Sequence, residues 1–77
     1  MSAAKNHRFD VRPILARGEE PFAEIRAKAD ALAAGDSLTI IAPFLPAPLV
    51  ELLQSEGFEA KIERHHDGAW AVIFRKP

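Results

Sequence analysis

The stretch Phe58-Glu59-Ala60-Lys61-Ile62-Glu63-Arg64-His65-His66-Asp67-Gly68-Ala69-Trp70-Ala71-Val72-Ile73-Phe74 decides the fold. Phe58, Ala60 and Ile62 alternate with Glu59, Lys61 and Glu63, the period-2 pattern of a strand buried on one face. Asp67-Gly68 is a hairpin turn signal, and the apolar run Ala69 to Phe74 is short enough to be the returning strand. A β-hairpin is therefore expected here, with Trp70, Val72 and Phe74 on its buried side.

Upstream of the hairpin, strands and helices alternate. Pro48 fits the first turn of a helix, Leu49, Leu52 and Leu53 form its apolar stripe, and Gly57 ends it. Before that helix, Ser37 to Pro43 is a β-branched apolar run bounded by turn residues, which reads as a buried strand. An earlier helix opens at Pro21 behind the acidic pair Glu19 and Glu20 and carries Phe22, Ile25, Ala29 and Leu32 as its stripe. Gly35 is expected to supply its left-handed C-cap. Arg8 to Arg12 alternate polar and apolar as a first strand, and Pro13 restricts its continuation.

The order is thus β-α-β-α-β-β. Two right-handed crossovers that keep both helices on one face step the same way and leave a gap, which the last hairpin strand fills. The expectation is an α/β two-layer sandwich: a mixed sheet ordered 1-2-4-3 with both helices on one face. Its edge strands would carry Arg8, Asp10, Arg12 and Glu59, Lys61, Glu63 on the helix-free face, where charge discourages edge-to-edge association.

At 77 residues the chain has room for one small domain, expected over 8–77 behind a flexible leader at 1–7. Hydrophobic residues at 48% and charged residues at 27% suit a globular chain rather than a disordered or membrane-spanning one. Ten Lys and Arg against eleven Asp and Glu give a net charge of -1, which offers no field for nucleic-acid phosphates. The absence of cysteine removes disulfides, thiolate nucleophiles, persulfides and Cys-ligated metals together. Met1 to Arg8 show no apolar signal region, so a cytoplasmic location is expected.

Arg17-Gly18-Glu19-Glu20-Pro21, opening a helix after a strand that begins Phe9-Asp10-Val11-Arg12, resembles the small TusA/SirA sulfur-carrier fold. In that family a Cys-Pro-x-Pro motif caps the first helix. Pro21 matches the second proline and Glu20 the variable position, whereas Gly18 stands where the cysteine would be and Glu19 where the first proline would be. The resemblance is closer to an uncharacterised, cysteine-less bacterial family of the TusA-like group. It is carried by Phe-Asp-Val-Arg-Pro at the start, Pro48-Leu49, Glu56-Gly57-Phe58 and Gly68-Ala69-Trp70-Ala71-Val72. Members of that group often pair with hemerythrin-like domains. The resemblance implies the fold and a setting in sulfur or redox metabolism, without the nucleophile that would carry sulfur.

Candidate binding residues follow from the topology. Arg17, Gly18, Glu19, Glu20 and Pro21 follow the first strand and Phe44 and Leu45 follow the second, so both loops lie at carboxyl ends of parallel strands, where α/β sheets place their sites. Glu19 and Glu20 read either as a partner contact or cation-tolerant pocket, or as ordinary acidity at a helix start. Phe44 and Leu45 read either as the rim of a binding site or as staples tucked beneath the following helix. Ser2, Ser37 and Ser55 lack His and Asp at any triad spacing. His65 and His66 are expected on opposite faces of a strand, where they cannot chelate one metal, and no metal or cofactor is expected. Ile41, Ala71 and Ile73 form a small apolar stripe on the helix-free face, which suits a monomer or a weak homodimer. The expected function is a non-catalytic binding or regulatory module with an unknown protein partner or small ligand. The alternatives are a small-ligand-binding domain and an RNA-binding module, since the C-terminal domain of a bacterial translation initiation factor shares the topology. A small enzyme using Arg17, Glu19 and Glu20 is supported by charge alone.

Overall fold

Parallel pairing of β1 (Asn6–Asp10) with β2 (Ser37–Ala42), and antiparallel pairing of β4 (Trp70–Arg75) with both β2 and β3 (Glu59–Arg64), gives a sheet ordered β1-β2-β4-β3. That is the expected 1-2-4-3 order. A computed structural model describes residues 4–77, in which the connecting helices are α1 (Arg12–Ala16), α2 (Phe22–Asp30) and α3 (Ala47–Ser55). One face of the sheet supplies Leu38, Ile40, Ala42, Val72 and Phe74 to a core that α2 completes with Ile25 and Ala29 and α3 with Val50 and Leu53. The two-layer sandwich with α2 and α3 on one face is therefore present.

The hairpin closes as its turn residues dictate. The His65 N–H donates to the Ala69 carbonyl at 2.7 Å, and Gly68 takes φ 90° at the end of the loop, a conformation that costs glycine little. At the end of α3 the Phe58 N–H reaches the Leu53 carbonyl and the Gly57 N–H the Gln54 carbonyl, the paired bonds of a Schellman cap.

α1 is the departure from expectation. Arg12 and Pro13 do not end a strand; they begin a short helix, with proline in its first turn, where a missing N–H costs nothing. Gly18 closes that helix: its N–H donates to the Leu15 carbonyl and that of Glu19 to Ile14, so Gly18, at φ 76°, is the left-handed residue of a second Schellman cap. β1 also starts earlier than expected. Residues 1–3 of the expected leader lie outside the described residues, but Asn6 and His7 pair with Ser37 and Leu38 inside the sheet. α2 ends at Asp30, before Leu32, and Gly35 sits in the Ala33–Asp36 turn rather than as the helix cap.

Burial on the sheet departs from expectation at several positions, and Ile62 of β3, expected on the buried face, is 46% exposed. Trp70 is half-buried rather than core, with the Arg64 guanidinium 4.4 Å from its ring centroid. On the helix-free face, Ile41 and Ala71 are already buried with Ala69, and Ile73 is half-buried, so the stripe expected to support a homodimer is not open. No helix among the described residues is long and apolar enough to cross a membrane.

Candidate functional site

An open pocket of about 370 Å³ lies where β1 and β2 end, between the starts of α2 and α3. Its floor is Val11, Ile40 and Ala42, and its walls are Leu15 of α1, Pro21, Phe22 and Ile25 around the start of α2, and Leu49 and Leu52 of α3. The opening has a local cause. Along β2 the inward side chains are Leu38, Ile40 and Ala42, so the last position sends only a methyl group up toward the helices and leaves space above it.

Of the sequence-predicted residues, Glu20, Pro21 and Phe44 come together at this pocket. Pro21 is buried at the N-cap of α2, and the Glu20 carboxylate behind it accepts the Phe22 N–H at 2.6 Å. Phe44 stands 55% exposed, so it is no staple beneath α3. Arg17, Gly18, Glu19 and Leu45 do not line the pocket. Arg17 pairs with Glu19 at 3.0 Å with both side chains more than half exposed, Gly18 serves the α1 cap, and the Leu45 carbonyl accepts the Ala47 N–H. Phe22 is the wall the sequence misplaced: at the first position of α2 it lines the pocket and is 41% exposed rather than buried. Leu49 and Leu52 are likewise only half-buried, while Val50 carries burial with Leu53.

A polar lattice occupies the opposite face. Arg12 grips Asp10 through paired bonds, the closest at 2.7 Å, and reaches Asp67 at 2.6 Å. His65 Nδ1 lies 2.9 Å from Asp67, and Arg8 lies 3.3 Å from His65 Nε2. Arginine only donates, so Nε2 accepts and the ring proton sits on Nδ1 toward Asp67. The imidazole is thus occupied at both nitrogens. Arg12 first, then the Ala69 N–H and His65, hold the Asp67 carboxyl far below the usual carboxylate range, and Arg12 lowers Asp10 against the opposing effect of burial. His65 and His66 do not point to opposite faces. β3 ends at Arg64, and the two ring centroids lie 4.2 Å apart, with the rings tilted at 37°.

The family model for the uncharacterised conserved protein DUF2249 matches residues 8–76. The chain belongs to that family. The DUF2249 match takes in most of β1, every later element, the pocket and the lattice. Comparison with curated proteins and with solved structures found no match. DUF2249 membership therefore carries no activity to this chain.

Proposed function

We propose that this DUF2249 chain is a non-catalytic binding module that seats a small apolar group in the pocket at the carboxyl ends of β1 and β2. Phe44 carries the proposal. An aromatic ring that is 55% exposed beside a floor of buried Ile40 and Ala42 is placed to cover a guest rather than to complete the core. The non-catalytic part is supported by the lack of cysteine and by Glu20 being the one titratable side chain among the residues lining the pocket. A connection with sulfur or redox chemistry rests on the TusA-like resemblance of Arg17 to Pro21, in which Gly18 holds the carrier position. A net charge of -1 speaks against the RNA-binding alternative. Titrating the isotope-labelled protein with a neutral apolar probe, 1-hexanol, tests the proposal. Amide shifts concentrated at Val11, Phe22, Phe44 and Leu49 are expected; shifts centred on the Ile41 and Ile73 face, or none, would refute it.

A further inference from the structure

We infer that the guest of this pocket is a small amphipathic cation, an alkyl or aryl group carrying an ammonium, and that Glu20 selects it; the inference rests on the pocket being the binding site. A helix start ordinarily favours anions, because its free N–H groups and dipole point positive charge outward. Both helix starts at this pocket depart from that rule. At α2, Pro21 has no N–H, and the first N–H of the helix, that of Phe22, is already given to the Glu20 carboxylate at 2.6 Å. At α3, Pro46 and Pro48 have none, and the Ala47 N–H goes to the Leu45 carbonyl. A resident carboxylate therefore sits where an anion would, and proline thins the donors around it.

The charge balance points the same way. Among the described residues that line the pocket, Glu20 carries the sole formal charge, and no Lys, Arg or His joins it. The nearest arginine in sequence, Arg17, is paired with Glu19. One hydrogen bond leaves a carboxylate with acceptor sites to spare, so Glu20 can hold an ammonium while the apolar walls take its hydrocarbon. A ligand carboxylate brought to the same position would meet like charge with no cation to offset it. The volume of about 370 Å³ lies at the small end of ligand pockets, which suits a single short chain or ring rather than a large cofactor.

The test uses three probes of one chain length at pH 7: hexylammonium, 1-hexanol and hexanoate, each titrated into the full chain and followed by amide shifts at the pocket. Hexylammonium is expected to bind about fivefold tighter than hexanoate, with hexanol between them, the scale of a part-exposed charge contact. Raising the ionic strength should compress that ratio in the unmodified protein. Glu20→Gln keeps an oxygen for the Phe22 N–H but removes the charge, so the ratio should fall to about one. Hexanoate binding as tightly as hexylammonium, a ratio indifferent to salt, or a ratio that survives Glu20→Gln would overturn the inference while leaving the apolar site intact. If none of the three binds, the pocket is not the binding site and both proposals fall together.

Discussion

Leu38 and Phe74 are fully buried at the closed end of the layer between helices and sheet, where a smaller hollow of about 230 Å³ is bordered by the charged side chains of Arg8 and Lys28; above Ala42, at its other end, Phe22 and Phe44 stand 41% and 55% exposed. The same two helices cover both ends. What differs is the size of the side chains that the sheet sends up to meet them, and the way each helix begins. Where β2 presents leucine, the helices rest on a filled core. Where it presents alanine, they start at prolines and leave their first apolar side chains around a space. The closed end holds the domain together, and the open end is the one proposed to bind.

The largest expected effect tests the closed end. Phe74→Ala empties a site with no exposure and should cost about 3 to 5 kcal/mol, enough to leave much of a domain this small unfolded in a denaturant titration. A loss comparable to that of a surface substitution would show that the core is elsewhere.

Next in size is Gly18→Ala. A side chain in the left-handed conformation at φ 76° should cost about 1 to 2 kcal/mol, although no atom stands within 4 Å of the added carbon. Gly57→Ala, at the equivalent place in the α3 cap, should behave alike. If Gly18→Ala is neutral while Gly57→Ala is not, α1 is not closed as described.

A smaller effect separates the two faces of the sheet by pH. Asp10 and Asp67 have folded-state pKa values depressed below 3.8, so each contributes stability that is complete above about pH 4 and is lost as pH falls through its folded value. Arg12→Leu should therefore lower the denaturation midpoint near neutrality, and the gap to the unmodified protein should narrow progressively as pH falls below about 4 and the carboxyls begin to protonate. A gap that is constant with pH would mean that Arg12 stabilises by packing rather than by charge.

Most of the fold was legible because its signals were local and mutually consistent. The alternation before Asp67-Gly68, the Gly57 stop and the two helical stripes left one order open to right-handed crossovers. α1 was written in the sequence too, as Pro13 just inside and Gly18 just past five helical residues, but a proline behind an alternating run also reads as the end of a strand. The site was half legible. Topology placed both loops at the strand ends, yet Gly18 and Glu19 proved to serve the α1 terminus, since a helix cap and a ligand loop draw on the same residue types. The pocket itself depends on how Ala42 and Phe22 sit in three dimensions, which spacing along the chain does not encode. Nor did it show that Arg12 would leave the strand, keep its hold on Asp10 and reach Asp67, 55 positions further along the sequence.

The smallest expected change in stability belongs to Phe44, and it bears most directly on the contrast between the closed end and the open one. Phe44→Ala should be measured for its denaturation midpoint and, on the same sample, for 1-hexanol binding. The account predicts stability within about 0.5 kcal/mol of the unmodified protein, together with a clear loss of hexanol affinity. A stability loss near that of Phe74→Ala, or unchanged hexanol affinity, would contradict it.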